Sequence, residues 1–98
     1  MIVYDMFDLS GRTALVTGGS QGLGKAMARG FAQAGADVVI CSRSEDKLQA
    51  ALDEILDGTD RKGAYFVADL SRRQGSAELA QACLEKMGRV DILVNNAG

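Results

Sequence analysis

A glycine-rich stretch near the start of the chain could bind phosphate groups in two different ways. The stretch reads G-G-S-Q-G-L-G-K-A and begins at Gly18. Its second glycine, Gly24 and Lys25 have the spacing G-x-x-x-x-G-K of a loop that binds the phosphates of ATP or GTP. Gly18, Gly22 and Gly24 instead suit a turn between strand and helix that holds the pyrophosphate of a dinucleotide.

The residue after the lysine favours the dinucleotide. A triphosphate loop needs serine or threonine at that position to bind magnesium, and this chain has Ala26. The helical pattern also begins at Gly22, which would place Lys25 inside the helix rather than at its start. The spacing G-x-x-x-G-x-G differs from the common pattern G-x-G-x-x-G, so the loop alone is also compatible with an ordinary glycine-rich turn.

Short apolar runs separated by helical patterns predict the elements that position this loop. Residues 13–17 form an apolar run that ends in glycine, as buried parallel strands do. Comparable runs follow at residues 36–41, 64–68 and 91–95. Apolar residues spaced three and four apart predict a helix in each interval. The three helical stripes are Leu23, Met27, Gly30, Phe31 and Ala34; Leu48, Ala51, Leu52, Ile55 and Leu56; and Leu79, Ala80, Cys83, Leu84 and Met87.

Polar residues mark the expected starts of the second and third helices. Ser44 can cap a helix whose first turn holds Glu45 and Asp46, since acidic side chains there suit the helix dipole. Ser71 and Gln74 have the spacing of a capping box.

The order β-α-β-α-β-α-β predicts an α/β fold, a doubly wound parallel sheet of the Rossmann type. Right-handed crossovers give the strand order 3-2-1-4, which is the first half of that fold. We expect residues 1–98 to form the N-terminal part of a single dinucleotide-binding domain. Ligands of such sheets bind beyond the carboxyl ends of the strands, so functional residues are expected directly after each strand.

The composition of the chain argues against several other classes of function. The 98 residues carry a net charge of -2 with scattered lysines and arginines, so we expect no nucleic-acid partner. The two cysteines lack a paired spacing and the chain has no histidine, which argues against a metal site and favours cysteines in the core. The N-terminus lacks the basic residues of a signal peptide, and no apolar run approaches about 18 residues. We therefore expect a cytoplasmic protein with no membrane partner.

Motifs after several of the predicted strands resemble those of one known family. With T-G-G-S-Q-G-L-G over residues 17–24, Asp69-Leu70, and N-N-A-G over residues 95–98, the chain closely resembles the short-chain dehydrogenase/reductase family, classical type. The resemblance implies that the first motif holds the cofactor pyrophosphate, that Asp69 meets the adenine, and that N-N-A-G shapes the cofactor groove. The residues expected to bind the cofactor are Gly18, Ser20, Gln21, Gly22, Leu23, Gly24, Ser42, Arg43, Asp69, Leu70, Asn96, Ala97 and Gly98.

The residues after the second strand predict NADP(H) rather than NAD(H). An acid at the end of that strand would bind the ribose hydroxyls of NAD and repel a 2′-phosphate. This chain has Ser42 there, followed by Arg43, whose guanidinium can pair with a phosphate. Family members that use NADP often carry a second basic residue in the glycine loop, where this chain has Gln21. A solvated surface arginine is the alternative for Arg43.

The catalytic groups that the resemblance implies are not found in these residues. Family members use a serine and a Tyr-x-x-x-Lys pair beyond N-N-A-G, and neither Tyr4 nor Tyr65 is followed by lysine four residues on. No catalytic residue is therefore assigned. We expect a truncated cofactor-binding portion of an enzyme, inactive alone, and a homo-oligomeric parent that acts on an alcohol or ketone such as a sugar acid, polyol or 3-oxoacyl substrate. The alternative is a non-catalytic module that senses NADP(H).

Overall fold

Four parallel strands alternate with three helices in the computed structural model, which describes residues 8–71 and 73–96. The elements are β1 (Thr13–Thr17), α1 (Gly22–Gln33), β2 (Asp37–Ser42), α2 (Leu48–Leu56), β3 (Gly63–Val67), α3 (Arg73–Met87) and β4 (Ile92–Asn95). The strands lie in the order β3-β2-β1-β4, so β1 pairs with β2 on one side and β4 on the other. The predicted α/β fold and the predicted strand order are confirmed.

Helices cover both faces of the sheet and bury alternate residues of its strands. On one face, Val16 and Ile40 pack against α1 and α2, while on the other Leu15 and Val39 pack against α3. Strands buried on both faces explain why β1 and β2 read as continuous apolar runs rather than as alternating patterns. Cys41 and Cys83 are buried in the layer formed with α3, as predicted.

The buried face of α1 differs from the predicted stripe. Gly24, Ala28 and Ala32 are the buried residues of this helix, whereas Leu23, which was expected in the stripe, is 68% exposed. Small side chains let α1 approach the sheet closely, and larger ones pack at the edge of the contact, as Phe31 does. The predicted stripe was wrong because the buried face is centred one position further along the helix, on three small residues.

The second helix begins later than predicted. Residues Glu45 and Asp46 precede α2 rather than form its first turn, and the Leu48 N–H donates to the Glu45 carbonyl at 3.0 Å. The Ser44 hydroxyl accepts from the Asp46 N–H at 3.4 Å, so this serine stabilises a turn before the helix and does not cap it. The predicted apolar stripe of α2 is confirmed, since four of its members are buried.

The third helix buries less of its predicted stripe. Leu79 and Cys83 are buried in α3, but Ala80 is exposed and Leu84 is 46% exposed. No helix in residues 8–71 and 73–96 has the length and apolar character needed to cross a membrane.

Asp91 joins the amino ends of β1 and β4. Its carboxylate accepts a hydrogen bond from the Thr13 N–H at 2.9 Å and pairs with the Arg89 guanidinium at 2.6 Å. The Arg89 hydrogen bond, followed by the Thr13 hydrogen bond, lowers the pKa of Asp91 below its ordinary value of 3.8. The ionised carboxylate therefore stabilises the fold above that ordinary value, and the contribution disappears as the pH falls through the lowered pKa.

We predict that Asp91→Asn lowers the free energy of unfolding at neutral pH, because the amide oxygen is a weaker acceptor for both donors. The deficit relative to the unchanged protein should shrink as the pH falls below the ordinary aspartate range, where both proteins lack the charge. Urea denaturation at a series of pH values measures this difference. The exposed Asp46→Asn variant is the control, and a deficit for Asp91→Asn that is independent of pH would contradict the charge-based role.

Candidate dinucleotide-binding site

The segments that follow the four strands meet at one edge of the sheet and form a cleft. Its volume is about 580 Å³, within the usual range of roughly 300–1,000 Å³ for small-molecule sites. The cleft is lined by Gly18, Ser20, Gln21, Cys41, Ser42, Arg43, Ala68, Asp69, Leu70, Ser71 and Asn96. It lies beyond the carboxyl ends of the strands, with residues of both β1 and its neighbours around it, which is where the fold predicted a ligand.

The loop after β1 is held against the sheet and leads directly into α1. The Gly18 N–H donates to the Cys41 carbonyl of β2 at 2.9 Å, and α1 begins at Gly22, whose φ of 59° lies in the left-handed region. The first N–H groups of a helix have no partner within the helix, and the helix dipole favours negative charge beside them. This end of α1 can therefore accept a phosphate group.

Gly24 allows three parts of the site to approach one another. A Cβ placed on Gly24 would overlap the Gly18 carbonyl oxygen and lie 2.6 Å from the Asn96 Nδ2. The glycine loop, the first turn of α1 and the residue after β4 thus meet at a point where only glycine fits. This close packing explains why the motif has glycine at position 24.

Lys25 is directed away from the glycine-rich loop that follows β1. It lies inside α1 and forms an ion pair with Glu54 of α2. A lysine that binds nucleoside triphosphate must instead reach from the helix start towards the phosphates. The position of Lys25, together with the missing hydroxyl at Ala26, argues against the triphosphate alternative.

The turn after β2 presents Arg43 at the cleft. The Ser42 hydroxyl donates to the Ser44 carbonyl at 2.6 Å and accepts from the Ser44 N–H at 3.3 Å, which fixes the path of the chain. Arg43, between these two serines, is exposed. Within residues 8–71 and 73–96 its guanidinium forms no hydrogen bond or ion pair, so its charge is available to a ligand.

The segment after β3 presents Asp69 to the same cleft. Its Oδ1 accepts from the Ser71 N–H at 3.0 Å and from the Ser71 hydroxyl at 2.6 Å. The Gln74 side chain hydrogen-bonds to Glu78, and the Ser71 hydroxyl donates to Asp69. These contacts replace the predicted capping box of Ser71 and Gln74. Asp69 therefore both shapes the turn into α3 and lines the cleft.

Thr17 connects the ends of β1 and β4 behind the cleft. Its hydroxyl accepts from the Asn96 N–H at 2.8 Å and lies 3.2 Å from both the Val94 carbonyl oxygen and the Asn95 Oδ1. Thr17 is buried, so these hydrogen bonds are shielded from solvent. These contacts hold Asn96 next to Gly24, and so connect N-N-A-G to the glycine loop.

The structure brings most of the predicted site residues together. The predicted residues on the cleft are Gly18, Ser20, Gln21, Ser42, Arg43, Asp69, Leu70 and Asn96. Gly22, Leu23 and Gly24 form the first turn of α1 beside it, and Ala97 and Gly98 lie outside the described residues.

Sequence reasoning missed Cys41, Ala68 and Ser71 as lining residues. Their positions at or just after strand ends were the available signal, because the last strand residues border such a cleft. Burial raises the pKa of the Cys41 thiol, which keeps it protonated and argues against a nucleophilic role.

Residues 12–98 match the family model of short chain dehydrogenases. The chain belongs to the short chain dehydrogenase family. This membership confirms the resemblance drawn from the motifs.

Individual relatives agree with this membership. The rhamnolipids biosynthesis 3-oxoacyl-[acyl-carrier-protein] reductase of Pseudomonas aeruginosa is 45% identical over 101 residues, which cover 98% of this short chain dehydrogenase and 37% of that protein. A short-chain type dehydrogenase/reductase from Mycobacterium marinum superposes with a TM-score of 0.90 at 40% identity, covering 100% of this chain and 39% of that one.

A metagenomic short-chain oxidoreductase whose crystal structure contains NADP has a TM-score of 0.85 and 42% identity. The match covers 93% of this short chain dehydrogenase and 41% of that chain. This chain therefore spans less than half the length of the relatives that it matches.

Proposed function

We propose that this short chain dehydrogenase binds NADP(H) in preference to NAD(H), as the cofactor-binding part of an oxidoreductase that acts on an alcohol or ketone. The observation that carries the proposal is the pair Ser42-Arg43 at the end of β2. These residues stand where an acid would select NAD, and they line the cleft with an exposed guanidinium. The NADP-bound metagenomic relative supports the choice of cofactor.

The residues of the cleft fit a dinucleotide in both shape and chemistry. The contact at Gly24 brings the glycine loop, α1 and Asn96 together without room for a side chain, and the helix start supplies N–H donors. Arg43 supplies a guanidinium that suits a phosphate ester, and the hydrogen bonds of Ser42 with Ser44 fix the turn that presents it. A phosphorylated dinucleotide therefore matches the donor set better than an uncharged ligand would.

Each segment of the cleft has one role in this proposal. The glycine loop from Gly18 and the start of α1 bind the pyrophosphate, and Arg43, on the turn fixed by Ser42, binds the 2′-phosphate. Asp69 and Leu70 border the adenine, and Asn96, followed in sequence by Ala97 and Gly98, borders the groove towards the nicotinamide. The bound cofactor supplies or accepts hydride, while these residues hold and orient it.

The proposed oxidoreductase reaction also needs a substrate and a proton donor. A carbonyl that accepts hydride needs a proton donor for the developing alkoxide. Residues 1–98 contain no Tyr-x-x-x-Lys pair that could serve, so we propose that they bind cofactor without catalysing its reaction. The Pseudomonas aeruginosa relative, by its name a 3-oxoacyl reductase, supports a carbonyl substrate.

We expect NADPH to bind at least about tenfold more tightly than NADH, since one hydrogen bond between charged groups contributes roughly 1.5–3 kcal/mol. Titration of the protein with each nucleotide, monitored by calorimetry or by nucleotide fluorescence, measures the two dissociation constants. Equal affinities would refute the preference for NADP(H).

Activity separates the oxidoreductase from a sensing module. We expect carbonyl-dependent oxidation of NADPH, tested with 3-oxoacyl thioesters and ketoses, only from a protein that also contains the serine and the Tyr-x-x-x-Lys pair. If such a protein binds NADPH but oxidises it with none of these substrates, the non-catalytic module becomes the better proposal.

A further inference from the structure

A second cation lies beside the cleft in a position that the sequence did not indicate. The Lys47 ammonium is 3.4 Å from the Gln21 side-chain oxygen. Gln21 lines the cleft and precedes α1, while Lys47 directly precedes α2. The contact therefore joins the loop after β1 to the connection after β2, which also carries Arg43.

The path of the chain from Arg43 to Lys47 is fixed by hydrogen bonds rather than left open. Ser42 and Ser44 exchange two hydrogen bonds, the Ser44 hydroxyl accepts from the Asp46 N–H, and the Leu48 N–H donates to the Glu45 carbonyl. These hydrogen bonds fix the position of Lys47 relative to β2. From that position its side chain reaches Gln21 in the glycine loop.

The two helices that carry Gln21 and Lys47 at their starts are also fixed to each other. Lys25 of α1 pairs with Glu54 of α2, and the Arg29 guanidinium donates to the Ile55 carbonyl at 2.9 Å. The contact between Gln21 and Lys47 thus spans two elements whose relative position is already determined.

Lys47 contacts a neutral amide although acidic residues are close to it in sequence. Glu45 and Asp46 are exposed, and across residues 8–71 and 73–96 neither forms a recorded ion pair with Lys47 or Arg43. Lys25 and Arg61, by contrast, are paired with carboxylates. Neither Lys47 nor Arg43 is therefore paired with a carboxylate in the described residues, and Lys47 contacts a residue that lines the cleft.

We infer that Lys47 is a second determinant of cofactor specificity, which binds the 2′-phosphate together with Arg43 and is positioned by Gln21. The inference rests on the proposed preference for NADP(H). A lysine ammonium is a compact charge with three donors and needs no planar match, so it complements the fixed fork of the arginine. Gln21 would supply the contact that positions this lysine of another segment.

The test uses adenosine 2′,5′-bisphosphate and 5′-AMP as probes, because they differ in the 2′-phosphate and contain no nicotinamide. Calorimetric titration of the protein should show that Lys47→Gln weakens binding of the bisphosphate by about three- to tenfold and leaves 5′-AMP unchanged. Lys47→Arg should retain most of the affinity, and the loss in Lys47→Gln should diminish at high salt, where the charge is screened.

Lys62→Gln is the matched control. Lys62 is an exposed lysine directly before β3, at the amino ends of the strands and therefore away from the cleft. If Arg43→Ala loses affinity for the bisphosphate but Lys47→Gln behaves like Lys62→Gln, the role of Lys47 is overturned and the proposed cofactor preference stands. If the unchanged protein binds both probes equally, the preference for NADP(H) fails and this inference fails with it.

Discussion

Replacing Arg43 with alanine is expected to weaken the binding of NADPH by roughly ten- to a hundredfold and to leave the binding of NADH nearly unchanged. Arg43 is exposed at the cleft and has no recorded partner in residues 8–71 and 73–96, so its removal leaves no buried group unpaired. The lost affinity should therefore report the contact with the 2′-phosphate alone. Titrations of the variant with both nucleotides, at the same ionic strength, measure the effect.

Two further variants make the Arg43 experiment specific. Arg12→Ala removes an exposed arginine that precedes β1, at the edge of the sheet opposite the cleft, and should leave both affinities unchanged. Arg43→Lys keeps the charge but loses the bidentate fork, so it should lie between the alanine variant and the unchanged protein. Parallel losses for NADPH and NADH in Arg43→Ala would show that Arg43 does not recognise the 2′-phosphate.

The strands and their order could be predicted from the sequence because the signals are local and independent of side-chain detail. An apolar run that ends in glycine places β1 at Thr13–Thr17, the bounds that the structure shows. The alternation of strands with helices then leaves few topologies, because parallel crossovers are right-handed. The cleft followed from the same reasoning, since its position depends on strand order and not on individual contacts.

The orientation of α1 and the start of α2 could not be read from periodicity. The centre of the α1 interface is made of Gly24, Ala28 and Ala32, and the predicted stripe, which begins at Leu23, passes beside it. The region before α2 contains a serine and two acids that suit either a helix start or a turn, and hydrogen bonds of the turn decided between them.

The contact between Lys47 and Gln21 depends on both of these features. The two residues are 26 positions apart, and their approach requires the late start of α2 and the close packing of α1. A pattern within one segment therefore cannot show it.

Gly24→Ala is expected to have the largest effect on the fold of any single change proposed. The added Cβ would overlap the Gly18 carbonyl oxygen and approach the Asn96 Nδ2 at 2.6 Å, and backbone atoms cannot yield as the end of a flexible side chain does. Overpacking of this kind destabilises proteins by about 1–3 kcal/mol. The glycine loop must also move, so affinity for NADPH and NADH should fall in parallel, in contrast to the selective loss in Arg43→Ala.

Gly30→Ala provides a control of opposite sign in the same helix. Gly30 is exposed, and a Cβ built on it has no heavy atom within 4 Å, so alanine there should stabilise the protein by about 0.5–1 kcal/mol through its higher helix propensity. Urea denaturation of the two variants compares identical chemical changes in one helix, and nucleotide titrations should show normal affinities for Gly30→Ala. Similar stabilities for Gly24→Ala and Gly30→Ala would mean that the contact among the glycine loop, α1 and Asn96 is not close enough to require glycine, and the shape argument for a dinucleotide cleft would lose its support.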